Sequence, residues 1–327
     1  MKAAKKGKAL MVQKNSRTLV TGGAGFIGSH IVDKLIECDA DVTVIDNLDT
    51  GNMENIVQHE QNDNFHFVKG DVCNFNIVKK LVKDVDAIFN LAAIASVQRS
   101  IENPLLVNEV NVEGTLNLLK ASVDSDVKRF IQVSSAAVYG DAPTLPVRED
   151  FNLMPLSPYA VSKLAAENYA KVFNQIYGLE TVCLRYFNVY GPRQANNDYS
   201  GAITIFANSI LENLPPKIFG DGKQTRDFVF VKDVVSANML ALTKKNAVGE
   251  VFNIATGKAT TINKIVQILQ EIMGKKNLKP VHQEPKEGDI RHSYGSIDKA
   301  RTLLGYEPTF SLEKGLKELV NYMCDSF

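Results

Sequence analysis

Short apolar runs alternate with longer stretches of helical spacing from Arg17 to about Thr181. The runs are rich in β-branched residues and are continuous, which is typical of strands that are covered on both faces. Between them, apolar residues recur at helical intervals, as Ile27, Ile31 and Leu35 do. The pattern predicts βαβ units and an α/β fold with a doubly wound parallel sheet. The predicted strands are Thr18–Thr21, Val42–Asp46, His66–Val68, Ala87–Leu91 and Phe130–Ser134.

The pattern changes after Arg185, where Gly, Pro, Asn and Asp become frequent and the apolar runs become short. We therefore predict one lobe over residues 17–180 and a smaller α/β substrate lobe over residues 181–327, with some later segments returning to the sheet. Ligands of doubly wound proteins bind outside the carboxyl ends of the strands, where a loop-rich second lobe would lie. Residues 1–16 are basic, and we expect them to form a disordered tail.

Composition excludes several classes of protein. The 37 Lys and Arg residues balance the 37 Asp and Glu residues, so the charge does not indicate a nucleic acid as partner. No apolar stretch approaches the ~20 residues that cross a bilayer, so we expect no membrane span. The four cysteines are scattered without metal-ligand spacing. We expect no metal site, and reduced thiols in a cytoplasmic protein.

The strongest local signal is the glycine-rich segment TGGAGFIG, residues 21–28, between an apolar strand and an amphipathic helix. Glycines allow the backbone to turn tightly and to approach a pyrophosphate, which the N-terminus of the helix then binds. This context is that of a Rossmann dinucleotide-binding unit. A tight strand-to-helix turn without a ligand would use glycine as well, so the turn alone leaves both interpretations open.

Carboxylates at the ends of the next two strands favour NAD as the cofactor. Asp46 follows Gly28 by eighteen positions, where a carboxylate binds the ribose hydroxyls and repels the additional phosphate of NADP. The alternative is a polar strand end without a ligand. Asp71 follows a third strand and would contact the adenine.

Tyr159 and Lys163 are four residues apart in a segment of helical composition, so their side chains share one face. A tyrosine with a pKa near 10 is a weak base at neutral pH, and lowering that pKa by ~3 units requires about 4 kcal/mol. An ammonium ~6 Å away supplies roughly 3 kcal/mol, and a positive nicotinamide ring would supply the rest. Ser135, at the end of a predicted strand, would hydrogen-bond the same substrate hydroxyl that Tyr159 deprotonates. The alternative is that no ligand binds here, with Tyr159 and Lys163 exposed at the surface and Ser135 a serine at the end of a strand.

Together, TGGAGFIG, Asp46, NLAA (residues 90–93), the strand that ends at Ser135, YAVSK and RYFNVYGPRQ resemble the extended short-chain dehydrogenase/reductase family. Within it, the chain resembles UDP-glucose and UDP-N-acetylglucosamine 4-epimerases from about Arg17 to its C-terminus. The resemblance implies that Tyr159 is the base, that Lys163 holds the nicotinamide ribose, and that Ser135 assists at the sugar hydroxyl. The predicted cofactor site comprises Gly22, Gly25, Phe26, Ile27, Gly28, Asp46, Asn47, Asp71, Val72, Leu91, Ala92, Ala93, Tyr159 and Lys163.

The implied reaction is an epimerisation at carbon 4 of a UDP-hexose through a transient 4-keto sugar, with NAD tightly bound throughout. The predicted substrate site comprises Ser135, Asn188, Ala202, Lys217, Ile218, Phe219, Arg226, Lys286, Asp289 and Ser293. Arg226 would bind the diphosphate, unless it pairs with Asp227 or Asp221, and the uracil would lie along residues 217–219. Lys286 departs from the arginine that is frequent there, which weakens or rearranges that contact.

Ala136 and Ala137 favour epimerisation over two related reactions. Similar 4,6-dehydratases typically carry an Asp–Glu pair at these positions, and UDP-glucuronate decarboxylases commonly carry a Glu; alanine does neither acid nor base chemistry. UDP-glucuronate epimerisation stays open as an alternative. A non-catalytic NAD-binding sensor is a more distant one, since such proteins usually lose the Tyr or the Lys.

The small side chain of Ser293 leaves room for an N-acetyl group, because a bulky Tyr occurs there in similar epimerases restricted to UDP-glucose and UDP-galactose. We therefore expect the substrates to include UDP-GlcNAc and UDP-GalNAc besides UDP-Glc and UDP-Gal; alternatively, Ser293 has no substrate contact. The resemblance also predicts a homodimer built on the helix around residues 107–121 and the helix of Tyr159. The apolar candidates for this contact are Val112, Leu116, Leu119, Ala165, Tyr169 and Val172.

Overall fold

The computed structural model describes residues 15–195, 201–285 and 290–325. Within these ranges the strands are β1 (Arg17–Thr21), β2 (Asp41–Asp46), β3 (Phe65–Lys69), β4 (Ala87–Asn90), β5 (Arg129–Ser135), β6 (Glu180–Tyr186), β7 (Asn188–Tyr190), β8 (Lys217–Phe219), β9 (Thr225–Arg226), β10 (Phe228–Phe230), β11 (Val251–Ile254), β12 (Thr260–Thr261) and β13 (Val281–Gln283). All five predicted strands are confirmed, with ends that shift by a residue.

The helices of the same ranges are α1 (Phe26–Glu37), α2 (Phe75–Leu81), α3 (Val97–Glu102), α4 (Pro104–Asn108), α5 (Gly114–Asp124), α6 (Pro158–Tyr177), α7 (Ala202–Leu211), α8 (Val231–Thr243), α9 (Ile262–Ile272) and α10 (Leu312–Asp325). A π-helical turn, Glu109–Glu113, joins α4 to α5. Among the described residues, no helix is both long and apolar enough to span a bilayer.

In the described part of the chain, seven parallel strands form the central sheet in the order β11-β6-β5-β4-β1-β2-β3. The fold class is therefore the predicted doubly wound α/β type. α1 and α8 pack together on one face, while α2, α5 and α6 form contacts on the other. The chain reverses its direction of travel across the sheet between β1 and β4, which opens a crevice at the carboxyl edge between these strands.

Segments on both sides of residue 180 build the sheet. β6 begins at Glu180 and β11 lies far beyond it, yet both are strands of the central sheet. A single division of the chain at residue 180 therefore does not separate the central sheet from the second lobe. The second lobe has its own apolar core, to which α7, α9 and α10 contribute, and pairs its short strands as β7–β10, β8–β13 and β9–β12. Residues 1–14 of the predicted tail lie outside the described residues.

The bounds of α6 follow from local sequence. The hydroxyl of Ser157 accepts a hydrogen bond from the backbone of Ala160 at 3.2 Å, and Pro158 occupies the first turn, where no amide partner is needed. The helix ends at Gly178 in the left-handed conformation. These signals place Tyr159 in the first turn of α6, at the carboxyl edge of the sheet.

Candidate active site

Two clefts lie side by side beyond the carboxyl ends of the strands. The first has a volume of about 530 Å³ and the second about 280 Å³. Val189 and Gln194 line both clefts, so they mark the place where the clefts meet. All the residues predicted for the cofactor line the first cleft, as does Ser135. The first cleft therefore brings together the glycine turn, the strand-end carboxylates and the catalytic candidates.

The glycine turn is closed so tightly that side chains would not fit. A Cβ atom on Gly28 would lie 2.2 Å from the carbonyl oxygen of Gly22. Gly22 itself has a φ of +68°, and a Cβ atom there would lie 2.9 Å from the backbone nitrogen of Ala92. α1 begins beyond Gly25 without a side-chain cap, which leaves its first amides directed at a ligand. This cradle fits the pyrophosphate of a dinucleotide.

Asp46 is a buried carboxylate at the end of β2. Its Oδ2 accepts a hydrogen bond from the backbone of Ala24 at 3.0 Å, and its Oδ1 accepts one from Leu48 at 2.8 Å. Burial raises the pKa of Asp46, against the effect of these hydrogen bonds. Each oxygen keeps a second lone pair with which to accept a hydroxyl, so the side chain is suited to a ribose diol.

Asp71 and Asn47 lie on the same side of the cleft and bind each other. The amide of Asn47 donates to Oδ2 of Asp71 at 3.0 Å, and the backbone of Cys73 donates to Oδ1 at 2.8 Å. Burial opposes ionisation of Asp71, but these hydrogen bonds hold its pKa below the usual range. An ionised Asp71 at this edge would accept a donor from the adenosine half of a dinucleotide.

Tyr159, Lys163 and Ser135 meet at the other end of the first cleft. Ser135 and Tyr159 both line this end of the cleft, and the Ser135 hydroxyl accepts a hydrogen bond from the backbone of Ala137 at 3.1 Å. Burial raises the pKa of Tyr159, an effect that the nearby Ser135 hydroxyl opposes, and burial lowers the pKa of Lys163 to about 8. Burial thus disfavours both charged forms, so a phenolate at Tyr159 needs positive charge close by.

The second cleft receives only some of the predicted substrate residues. Asn188, Ala202, Phe219 and Arg226 line it. Ile218 is fully buried in the core of the second lobe instead, because side chains alternate along β8 and its neighbours Lys217 and Phe219 are the exposed ones. Lys217 is exposed, and neither it nor Ser293 is among the described lining residues. Lys286 and Asp289 lie outside the described residues.

The carboxylates considered as partners for Arg226 are held elsewhere. Asp221 forms a bidentate ion pair with Arg291, with both contacts at 2.8 Å. Asp227 is buried and accepts hydrogen bonds from Thr256, Gly257 and Gly295. The backbone of Ser293 donates to the carbonyl of Thr225 at 3.1 Å, which places position 293 next to the strand of Arg226.

Sequence reasoning did not identify two features of the clefts. Gln194, at the end of the RYFNVYGPRQ segment, lines both clefts, and its Oε1 accepts from Thr204 at 2.8 Å. The sequence signal that could have identified Gln194 is its place at the end of that segment. Arg99 and Asp49 form an ion pair at the wall of the first cleft. They are fifty positions apart, so no local pattern predicts their contact.

The parallel sheet, the glycine turn and the Tyr–Lys pair on α6 define the class, that of the extended short-chain dehydrogenases/reductases. A family model described as GDP-mannose 4,6 dehydratase matches residues 19–319, and the chain belongs to this family.

Relatives with the same overall length support this placement. A putative UDP-glucose 4-epimerase of Methanocaldococcus jannaschii is 45% identical over 307 residues, covering 93% of this chain and 97% of the relative. The solved UDP-N-acetylglucosamine 4-epimerase of Methanobrevibacter ruminantium, in complex with UDP-N-acetylmuramic acid, is 39% identical with a TM-score of 0.92, covering 96% of this chain and 100% of that one. The solved UDP-glucose 4-epimerase of Thermotoga maritima with UDP-glucose is 41% identical with a TM-score of 0.90, covering 95% of this chain and 99% of that one. Other similar solved epimerases hold NAD.

Proposed function

We propose that this protein is an NAD-dependent isomerase that epimerises UDP-hexoses at carbon 4. The observation that carries the proposal is that Ser135, Tyr159 and Lys163 line one cleft together with the glycine turn. The relatives named above, which act on UDP-sugars, support the same reaction. Ala136 and Ala137 stand beside Ser135 where an elimination would need carboxylates.

NAD fits the first cleft, with the glycine turn at its pyrophosphate and Asp46 at a ribose, and when bound it supplies a reversible hydride acceptor. Tyr159 takes the proton of the hydroxyl at carbon 4, and Ser135 holds the same oxygen by a hydrogen bond. Lys163, buried four residues further along α6, binds the nicotinamide ribose and stabilises the phenolate of Tyr159. The hydride that carbon 4 loses to the bound cofactor would return to the opposite face once the 4-keto sugar has turned over, and the proton that Tyr159 gives back would complete the epimer without net oxidation.

Turning of the sugar requires a firm hold on the nucleotide. Arg226 and Asn188 of the second cleft would supply it, with Phe219 offering an aromatic face to the uracil. Binding energy from the nucleotide is then available to orient the sugar, which is itself held loosely. The contributions of Lys217, Ile218, Lys286 and Asp289 stay predictions.

We further propose that both N-acetylated and plain UDP-hexoses are substrates. Position 293 is adjacent to the strand of Arg226, because its amide bonds the carbonyl of Thr225. A serine there occupies less space near the bound diphosphate sugar than a tyrosine would. This part of the proposal is separable from the epimerase reaction itself.

A homodimer would cover an apolar surface on α6. Val161, Tyr169, Val172 and Ile176 are exposed on this helix, and Leu105 of the adjacent α4 is 82% exposed. Burying such a surface against a second copy would remove it from water. Val112 and Leu119 do not belong to it, because both are buried in the chain's own core.

The four cysteines carry no disulfide, and we infer from these free thiols that the protein is cytoplasmic.

The test is product analysis after incubating the purified protein with UDP-GlcNAc or with UDP-Glc, without added reductant. Conversion of both to their 4-epimers is expected. Epimerisation of UDP-Glc alone would keep the reaction and overturn the breadth assigned to Ser293. If neither is converted, incubation with UDP-glucuronate and dTDP-glucose tests the alternative reactions of the family, and cofactor binding without any turnover would support the sensor.

A further inference from the structure

A third ionisable residue extends the catalytic face of α6. Glu167 follows Lys163 by four residues and Tyr159 by eight, and it is fully buried. Side chains four residues apart on a helix are neighbours, and a lysine and a glutamate at this spacing ordinarily attract each other. Glu167 would therefore be the natural counter-ion of Lys163, and an ion pair between them would neutralise the charge that Tyr159 needs.

The structure shows a different partner for Glu167. Arg185 of β6 donates to its carboxylate from Nε at 2.9 Å and from Nη2 at 2.6 Å. Ser134 donates a third hydrogen bond at 2.8 Å. Ser134 and Arg185 are directly opposite each other in the β5–β6 register, so the sheet itself fixes these donors. In the described part of the chain, no carboxylate lies within ion-pair distance of Lys163.

Arg185 is in turn fixed from its other side. Its Nη1 donates to the hydroxyl of Tyr139 at 2.7 Å, and the guanidinium carbon lies 4.7 Å from the centre of the Tyr139 ring. Tyr139 donates onward to Asn253 at 2.7 Å. A buried ion pair is often no more stabilising than an apolar pair of the same size, so stability alone gives little reason for this arrangement.

We propose that Arg185 is a positioning residue that holds the carboxylate of Glu167 away from Lys163 and so leaves the ammonium of Lys163 to act on Tyr159. The proposal rests on the proposed function, in which Tyr159 is the base. The bidentate geometry is what makes it effective, because a planar fork occupies both carboxylate oxygens. Without Arg185, the cations four residues from Glu167 on the same face of α6 are Lys163 and Lys171, and of these two only Lys163 is buried as Glu167 is.

The elements packed against α6 carry other ionisable groups. They are Arg129 of β5, Glu180, Cys183 and Tyr186 of β6, Tyr139 after β5, Arg99 and Glu102 of α3, Glu109 and Glu113 of the π-helical turn, and Lys120 and Asp124 of α5. None of these described groups contributes to the lowered pKa of Lys163, for which burial is the cause. Removing Arg185 would free the carboxylate of Glu167, and it is thus the direct way to bring a negative charge next to Lys163.

The experiment compares Arg185→Met, Glu167→Gln, the double variant and Arg185→Lys, all loaded with NAD. For Arg185→Met, the acidic limb of the kcat–pH profile for UDP-Glc should move up by about one pH unit, with roughly tenfold lower kcat at neutral pH and a KM within about twofold. The double variant and Glu167→Gln should keep the limb of the unmodified protein, because neither has a carboxylate at position 167. Arg185→Lys keeps a cation but loses the planar fork, so its limb should shift in the same direction as that of Arg185→Met but by less.

A second readout does not depend on turnover. The chain has ten tyrosines and no tryptophan, so tyrosinate absorbance in the near ultraviolet can be titrated without indole absorbance. Subtracting the same titration on a Tyr159→Phe background isolates Tyr159, whose ionisation should shift with the kcat limb. A double variant shifted as far as Arg185→Met would overturn the proposal, since a merely structural role predicts that outcome.

If Arg185→Met does not fold, the remaining variants still decide. An alkaline shift in Glu167→Gln, which has no carboxylate to misdirect, would contradict the proposal, and an unchanged limb would support it. Should the unmodified protein epimerise none of the UDP-hexoses, the proposed function fails, while the tyrosinate titration continues to test the role of Arg185.

Discussion

The two clefts differ in whether backbone or side-chain atoms form their walls. The first is formed by backbone at the ends of β1, β2 and β4, where added atoms at Gly22 or Gly28 would collide with main chain. The second is walled by side chains on short strands and on α7, such as Phe219 and Arg226. Backbone held by a seven-stranded sheet has little freedom to adapt, whereas side chains on two- and three-residue strands have more.

This difference corresponds to the two tasks of an epimerase. A cofactor that must not leave requires a rigid site, and a sugar that must turn over requires a site that grips only the nucleotide. Rigid cofactor sites and adaptable substrate sites also explain how one family serves several sugars, since changes in the second cleft leave the first one intact. Each of the following predictions tests one side of this contrast.

The largest expected effect is on the chemistry at the first cleft. Tyr159→Phe removes the proposed base and should lower kcat by roughly 10²–10⁴-fold, with NAD still bound. Steady-state kinetics with UDP-Glc measure this, together with the nucleotide content of the purified variant. Tyr177→Phe is the control, because Tyr177 is 56% exposed at the far end of α6. Full activity in Tyr159→Phe would remove it from the catalytic role.

Gly28→Ala tests the rigidity of the first cleft. The new Cβ atom would lie 2.2 Å from the carbonyl of Gly22, so the turn must open and NAD should be lost during purification. Gly274→Ala is the matched control, since Gly274 has a φ of +65° but nothing within 4 Å. It should cost about 1–2 kcal/mol of stability through backbone strain and retain NAD. Equal NAD retention in both variants would mean that the turn is more adaptable than its geometry indicates.

The contrast also separates what the sequence predicts from what it does not. Strands such as β1 and β5 are predictable because continuous apolar runs covered on both faces are local signals, and α6 has its cap in SPYAVSK. Ile218 is different: it is buried in an apolar core to which α9 and α10 contribute from distant parts of the sequence. The pairing of Glu167 with Arg185 likewise depends on the β5–β6 register. Contacts that depend on distant pairing are the part that sequence reasoning cannot reach.

Lys163 provides a test of burial in the first cleft. Its pKa is lowered to about 8 by burial, against about 10.4 in an unfolded chain. Between these values the unfolded state binds more protons, so the free energy of unfolding should rise with pH, by up to roughly 3 kcal/mol. Urea unfolding of NAD-free protein from pH 7 to pH 10.5 measures it. Lys163→Met should lack this rise; an identical pH dependence would show that Lys163 is hydrated.

At the second cleft, Arg226→Lys should act on binding rather than on chemistry. Lysine keeps the charge but loses the bidentate fork, so the KM for UDP-Glc should rise roughly tenfold while kcat changes little. Arg148→Lys is the control, because Arg148 pairs with Asp150 at the surface and its side chain is 61% exposed. A fall in kcat with an unchanged KM would indicate that Arg226 contacts the reacting part of the substrate instead.

The smallest effect is expected to be selective. Ser293→Tyr should lower kcat/KM for UDP-GlcNAc by about tenfold or more and leave that for UDP-Glc within about threefold, because the larger ring takes the space of the N-acetyl group. Ser293→Ala should leave both unchanged. The backbone bond from position 293 to Thr225 is retained in each variant, so the position of the loop does not depend on the substitution. Full activity of Ser293→Tyr on UDP-GlcNAc would mean that the second cleft discriminates sugars through other residues, and that its adaptability extends to the loop around position 293.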